Sequence, residues 1–247
     1  MGAHSRSLRP TAGLRHVSQG AVTLFLTAVA GMLVWHLLHG VDGSAGADQW
    51  LATSHWSIER DRGYPELFGY ALLAIAVVGL LVLARRGRRP SLYAWAATFA
   101  LVLLDDEMMI HERGGRIVVR LLGSPAEIFG VRAQDVGELA VWGGLAVLPL
   151  IAVVLLHRRS DRFGRELDYA LGLLLGALVF FGVVVDQLHS MFWDGIPVVG
   201  PVVGVVEDGG ELVVLSFLAA FVVGVLQHRD AAKAVVAEED DRIDVRV

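Results

Sequence analysis

Acidic and histidine side chains interrupt the apolar runs of this sequence at points where charge is rare. They stand at the ends of four runs: Asp105, His111, Glu112, Glu138, Asp186, His189, Glu207 and Glu211. A carboxylate inside an apolar span costs several kcal/mol, so such groups normally face the interior of a helix bundle and have partners. Carboxylates and imidazoles bind divalent metal ions, and a chain of them can relay protons. The sequence therefore predicts a polar site inside an apolar protein.

The spacing of these residues brings some of them to one helix face. Asp186 and His189 are three residues apart, and Glu207 and Glu211 are four apart. Residues at these separations are neighbours on a helix. An acid-x-x-His pair that faces inward glutamates from other helices is the ligand pattern of two-metal sites in helical bundles. The match is partial, because only one helix offers the acid-x-x-His pair.

A divalent metal ion, or a pair of them, is the predicted cofactor. The predicted ligands are Asp105, Glu112, Glu138, Asp186, His189, Glu207 and Glu211. Oxygen-dominated ligation favours Fe or Mn, and Zn or Mg would also fit. His111 is the predicted general base or a further ligand, and the metal would activate water or oxygen. The predicted function is a membrane metalloprotein, with membrane lipids as partners and a lipid or small apolar molecule as substrate.

Long apolar runs must position these groups. The chain of 247 residues is 55% hydrophobic and 19% charged, with a mean hydropathy of +0.57, whereas soluble domains carry about 25% charged residues. Runs of about twenty apolar residues match a bilayer core about 30 Å thick, and in hydrocarbon such runs form helices. The sequence predicts an all-α bundle of about six transmembrane helices. Their predicted bounds are 20–39, 67–84, 92–111, 138–156, 169–189 and 207–227.

Basic residues predict the orientation, because short cytoplasmic loops are enriched in them. They cluster before the first span, between the second and third, between the fourth and fifth, and after the sixth. These residues are Arg6, Arg9, Arg15, Arg85, Arg86, Arg88, Arg89, Arg158, Arg159, Arg162, Arg165, Arg229 and Lys233. We expect both termini to be cytoplasmic in a bacterial inner membrane. Residues 1–230 then form one transmembrane domain, and residues 231–247 form a charged, partly disordered cytoplasmic tail.

Antiparallel helices place acids from four spans at one depth. The third and fifth spans run outward, and the fourth and sixth run inward. At a rise of about 1.5 Å per residue, the acids of these spans lie roughly 20 to 27 Å from the cytoplasmic boundary of the membrane. These acids are Asp105, Glu138, Asp186 and Glu211. The predicted site therefore lies in the outer third of the membrane.

Other classes of function lack support in the sequence. The absence of cysteine excludes disulfides, thiolate nucleophiles and cysteine-bound metal. A net charge of −5 without a basic patch gives no support to nucleic-acid binding. Two alternatives to the metalloprotein remain open. The same acids would serve a cation or proton transporter, or they would form the buried polar network of a membrane scaffold.

Two short segments carry a resemblance to known sequences. The run Leu104-Asp105-Asp106-Glu107-Met108-Met109-Ile110-His111-Glu112 resembles a pattern in uncharacterised bacterial multipass membrane proteins, in which an acidic pair precedes His-Glu on a transmembrane helix. The segment Glu207-Asp208-Gly209-Gly210-Glu211 is similar to the last-helix motif of the same group. The resemblance implies that Asp105, His111, Glu112, Glu207 and Glu211 form one constellation. It implies no particular activity.

Overall fold

The computed structural model describes residues 17–40, 54–58, 60, 62–128, 131–193, 196 and 199–244. The helices are α1 Gln19–Gly40, α2 Tyr64–Gly87, α3 Pro90–Met108, α4 Ile110–Leu121, α5 Ala133–His157, α6 Arg162–Val179, α7 Asp186–Leu188 and α8 Val199–Asp244. The π-helical segments Phe180–Val185 and His189–Trp193 flank α7, and a 3₁₀ turn spans Ser54–Trp56. The strands β1 Glu127–Ile128 and β2 Val131–Arg132 form an antiparallel hairpin. The predicted all-α bundle is therefore confirmed.

Five helices of the described chain are long and apolar enough to cross a membrane. They are Gln19–Leu37, Tyr64–Gly87, Ala133–His157, Arg162–Trp193 and Val199–His228. The fourth, which we call the α6 span, combines α6, α7 and the two π-helical segments. Helix α3 packs among these spans, but Asp105, Asp106 and Glu107 lie in its last turn. Helix α8 continues to Asp244 and so runs through most of the charged tail.

The predicted third span does not reach residue 111 as one helix. Met109 has a left-handed conformation with φ of 50°, and it separates α3 from α4. Its N–H bonds to the carbonyl oxygens of Asp105 and Asp106, which closes α3. The break is hidden in the sequence because neither glycine nor proline marks it. His111 and Glu112 consequently belong to the first turn of α4.

Helices α4 and α5 approach each other closely through glycine. A Cβ atom added to Gly137 would lie 2.7 Å from the carbonyl oxygen of Gly115, and one added to Gly115 would lie 2.9 Å from the backbone nitrogen of Glu138. The contact leaves Ile117 and Leu121 exposed on another face of α4. Helix α4 is thus fixed against the first turns of α5, beside Glu138.

The two ends of the bundle differ in charge. The turns α2–α3 and α5–α6 meet at one end, which we call the basic end, where the Arg89 guanidinium bonds both carboxylate oxygens of Asp161. Asp161 also accepts a hydrogen bond of 2.7 Å from the N–H of Gly164 and so caps α6. At the other end, called the acidic end, α2, α5 and α8 begin and α3 and the α6 span finish. Between the two ends lies the core, which includes Leu72, Leu80, Leu92, Phe99, Leu171, Leu218 and Phe221.

Candidate functional site

A cavity of about 570 Å³ opens in the acidic end of the bundle. Residues from α2, α3, α4, α5, the α6 span and α8 form its wall. Its acidic residues are Glu66, Asp106, Glu112, Glu138, Asp186, Glu207, Asp208 and Glu211. Its basic residues are Arg60, Arg116, Arg132 and His111. Carboxylates therefore outnumber basic groups by eight to four, and the interior favours a positive charge.

The cavity wall changes from acidic to aliphatic in the same direction on α2, α3, the α6 span and α8. On α2 the wall passes from Glu66 to Leu73, and on α8 it passes from Glu211 to Leu215. On α3, which runs the opposite way, Val102 precedes Asp106. The aliphatic part consists of Leu73, Val102, Leu175, Leu178, Val179 and Leu215. The closed core lies beyond these residues, so the cavity is blind on the side of the basic end.

Glu211 is the acid with the least compensation. It lines the cavity, and the charged groups that act most strongly on it are other acids, Asp106, Asp186, Glu207 and Asp208. No described group donates a hydrogen bond to its carboxylate. Gly182, in the first π-helical segment, faces that carboxylate, and a Cβ atom added there would collide with Oε1 of Glu211. The glycine therefore provides the space that Glu211 occupies.

Tyr70 and two acids of α2 and α3 line the same part of the wall. The Tyr70 hydroxyl donates to Glu66 of α2, and Asp106 of α3 lines the cavity with them. Glu66 also accepts from the backbone N–H of Arg62. Tyr70 and Asp106 lie one turn from Leu73 and Val102, respectively. These polar groups therefore mark the boundary between the two parts of the wall.

Asp105 is turned away from the cavity and holds His111. One oxygen of Asp105 accepts the backbone N–H of His111 at 2.9 Å, and the other lies 2.7 Å from Nδ1 of His111. A carboxylate only accepts, so the imidazole carries its proton on Nδ1 and leaves Nε2 unprotonated in the neutral form. His111 lines the cavity beside Trp142, with 5.9 Å between ring centroids. Asp105 was predicted as a ligand, but its place is behind His111, where it is 1% exposed.

The start of α5 is fixed by polar contacts to two neighbouring helices. The Gln134 amide donates to the carbonyl of Glu112 at 3.0 Å and to Glu138 Oε1 at 2.7 Å. Buried Asp135 accepts from Arg132 Nε at 2.7 Å and from Ser190 Oγ at 3.1 Å. This bond to Asp135 raises the pKa of Arg132. These contacts orient the cavity wall on the α5 side.

The predicted metal ligands share a cavity without forming a coordination sphere. Glu112, Glu138, Asp186, Glu207 and Glu211 line it, whereas Asp105, which was predicted to lie at the same depth as Glu138, Asp186 and Glu211, does not. His189 lies outside the wall, with Nδ1 3.1 Å from Oε2 of Glu207. Among the described residues no three acidic or histidine side chains converge closely enough to hold a metal ion. The metal cofactor stays a prediction.

A second polar cluster lies near the basic end. Buried Asp168 accepts from Trp95 Nε1 at 3.0 Å and from Ser160 Oγ at 3.2 Å, and it lies 3.0 Å from Nδ1 of His157. Both carboxylate oxygens are thereby bonded, so this cluster ties α3, α5 and α6 together. None of these four residues belongs to the wall of the acidic cavity.

The sequence of the chain matches one known protein family. The model of a domain of unknown function, DUF8692, matches residues 22–225. The chain belongs to the DUF8692 family. Neither a curated protein nor a solved structure matches it. The matched region includes every residue of the cavity wall, so the cavity lies within the part of the chain that defines the family.

Some residues of the wall were absent from the sequence prediction. Glu66 lies one residue before the predicted second span, 67–84, and the predicted site does not include Tyr70, Asp106 or Gln134. A signal was present for one pair, because Glu66 and Tyr70 are four residues apart on the same helix face. The others depend on how each helix is rotated about its axis.

Proposed function

We propose that the protein is a polytopic protein of the bacterial inner membrane that binds a cation in its acidic cavity. The orientation, with α3 as a sixth span and both termini cytoplasmic, is supported by the basic end. There the arginine-rich turns α2–α3 and α5–α6 lie together, as the contact between Arg89 and Asp161 requires. The cavity then faces the outer side of the membrane.

The observation that carries the proposal is the position of Glu211. Its carboxylate faces the cavity among four other acids and lacks a described donor. Two like charges 4 Å apart repel by about 4 kcal/mol at an effective dielectric constant of 20. Either protons or a bound cation must remove that repulsion. A cavity that is open to ligand and lined by eight carboxylates supports the bound cation.

A catalytic role is supported by His111. Asp105 fixes the orientation of its ring and directs Nε2 away from the pair, which is how a general base is positioned. The divalent metal predicted from the sequence is one candidate occupant, with Glu112, Glu138, Asp186, Glu207 and Glu211 as its ligands after side-chain rearrangement. Such an ion would activate water or a substrate carbonyl. A lipid or other apolar substrate would contact the aliphatic wall.

Transport receives less support from the same cavity. A transporter needs polar groups that lead to the second side of the membrane. Below Glu211 the wall becomes aliphatic and then closes at the core. This shape supports entrance and release of a ligand at one side.

Cation-dependent stabilisation tests the proposal. The purified protein in lipid nanodiscs would be heated with Mn²⁺, Fe²⁺, Zn²⁺, Mg²⁺ or small organic ammonium ions, and the metal content of untreated protein would be measured. We expect at least one cation to raise the melting temperature of the wild type. Glu211→Gln should remove this effect, because it keeps the shape and deletes the charge.

Glu166→Gln is the matched control, since Glu166 pairs with Arg162 at the basic end and does not belong to the cavity wall. It should respond to cations as the wild type does. The proposal fails if none of these cations stabilises the wild type, or if the stabilisation persists in Glu211→Gln.

A further inference from the structure

The cavity is larger than a metal ion requires. At about 570 Å³ it falls within the range of roughly 300–1,000 Å³ that is typical of small-molecule sites. A water molecule takes about 30 Å³ in the liquid. The volume therefore holds an ion with its water shell several times over. Size alone favours an organic ligand.

The polar part of the wall selects a positive charge of moderate size. The charged groups that act most strongly on Glu211 are four acids and no arginine, whereas Arg132 acts on Asp186. The aromatic rings of Tyr70 and Trp142 also line the cavity. Aromatic faces attract ammonium groups, and they contribute to the recognition of alkylated ammonium ligands in particular. Carboxylates with aromatic rings suit an organic ammonium better than a bare divalent ion, which needs converging oxygen ligands.

The aliphatic part of the wall gives the ligand its second feature. Leu73, Val102 and Leu215 lie about one helical turn beyond Tyr70, Asp106 and Glu211 on their respective helices. A ligand whose charge is held by the acids must therefore place its remaining atoms against aliphatic side chains. Burial of a methylene group contributes about 0.8 kcal/mol, or roughly a fourfold gain in affinity.

We propose that the ligand of the cavity is an amphiphilic organic ammonium ion, with its charged head at Glu211 and Asp106 and its alkyl chain against Leu73, Val102, Leu175, Leu178 and Leu215. This inference rests on the proposed cation binding and names the class of cation. The blind end of the cavity sets the length of chain that it accepts. A short alkyl chain fits, and a longer one has to leave part of itself outside.

A chain-length series tests the inference. Binding of n-alkyltrimethylammonium ions with two to eight carbons in the chain would be measured by calorimetry on the protein in nanodiscs. We expect affinity to rise roughly fourfold per methylene and then to stop rising at the length that reaches the aliphatic end. The same titrations into nanodiscs without protein would measure how much of each ion partitions into lipid. Alcohols and carboxylates of equal chain length should bind at least tenfold more weakly, because they lack the positive charge.

Two variants locate the head and the chain. Glu211→Gln should lower the affinity for hexyltrimethylammonium at least tenfold, whereas Glu166→Gln should leave it unchanged. Val102→Phe fills the aliphatic part and should shift the limit to a shorter chain. The wild-type series remains decisive if Val102→Phe does not fold.

The outcomes separate the two proposals. If divalent metals bind in a Glu211-dependent manner while the ammonium series does not bind, cation binding stands and this inference is overturned. If affinity depends on chain length but not on charge or on Glu211, the ligands are partitioning into lipid and the inference is also overturned. If neither series binds, both proposals fail.

Discussion

Asp105 and His111 are joined twice, once through the backbone N–H of His111 and once through its Nδ1. The left-handed residue Met109 makes this possible, because it lets α4 begin beside the carboxylate that ends α3. The same contact therefore closes the helix break and orients a ring in the cavity wall. A structural bond and a candidate catalytic residue depend on one carboxylate.

Replacement of Asp105 by Asn should change the tautomer of His111 more than it changes the fold. The amide keeps the shape and its oxygen can still accept the backbone N–H, but its NH₂ group cannot accept from Nδ1. We expect the proton to move to Nε2, with a loss of about 1 to 2 kcal/mol of stability. Imidazole ¹⁵N chemical shifts would show the exchange. Unchanged shifts of His111 would contradict the assigned pairing, and His157 serves as the internal control.

Gly182→Ala should weaken cation binding without a comparable loss of stability. The added Cβ meets the far end of the Glu211 side chain, which can rotate away at small cost. We expect stability to change by no more than about 1 kcal/mol and affinity for the stabilising cation to fall about tenfold. Gly176→Ala, six residues earlier in the same span and with nothing within 4 Å of its Cβ, is the matched control. Equal affinities in the two variants would show that the position of Glu211 is irrelevant.

Gly137→Ala should destabilise the contact between α4 and α5. Its Cβ would lie 2.7 Å from a backbone oxygen of Gly115, and backbone cannot move as a side-chain end does. We expect a loss of about 1 to 3 kcal/mol. Gly143→Ala, in the same helix with open space around its Cβ, should be neutral or stabilising by up to about 1 kcal/mol. Thermal denaturation would measure the stability of both variants. A Gly137→Ala protein as stable as Gly143→Ala would contradict the close approach of α4 and α5.

The pair Arg89 and Asp161 should contribute to stability only above acidic pH. The hydrogen bond from Arg89 lowers the pKa of Asp161 below its ordinary value of 3.8. A depressed folded-state pKa means that the contribution is present above that ordinary value and is lost as the pH falls through the folded pKa. Asp161 is 61% exposed, so solvent screening keeps the effect small.

Asp161→Asn isolates this charge, since Asn also caps helices well. The variant should be slightly less stable than the wild type at pH 7, and the difference should shrink as the pH falls below 3.8 and through the lowered pKa of Asp161. Added salt at pH 7 should reduce the same difference. A difference that stays constant from pH 7 to pH 3 would show that the ion pair does not contribute.

Asp168 should be among the most costly single positions at the basic end. Its removal in Asp168→Ala leaves Trp95, His157 and Ser160 without their acceptor in a buried site. We expect a loss of about 3 kcal/mol. Glu166→Ala, two residues away at a half-exposed pair, should cost less than about 1 kcal/mol. Melting temperatures that match between the two variants would contradict a buried anchor.

Much of the fold followed from hydropathy, because apolar runs of membrane length leave the backbone few choices. The α3–α4 break did not, since Met109 adopts a left-handed conformation without a glycine or asparagine signature. The depth of each residue in the antiparallel helices was enough to group Glu138, Asp186 and Glu211. It was not enough to turn Asp105 toward His111 instead of the cavity, because a helix that is apolar all round does not reveal its rotation. Asp168 lies one residue before the predicted fifth span, 169–189, and so is not among the acids that interrupt the apolar runs.

The number of residues in the π-helical segment Phe180–Val185 determines which way the side chains after it point. A π-turn holds about one residue more than the α-turn it replaces, and each residue of an α-helix advances the winding by about 100°. Loss of a single residue here would restore regular α-helical winding. Asp186 would then rotate away from the cavity, and Ser190 would rotate away from Asp135. Among relatives, a one-residue gap between Gly182 and Asp186 therefore marks a chain whose acid has left the cavity, even where every aligned letter is identical.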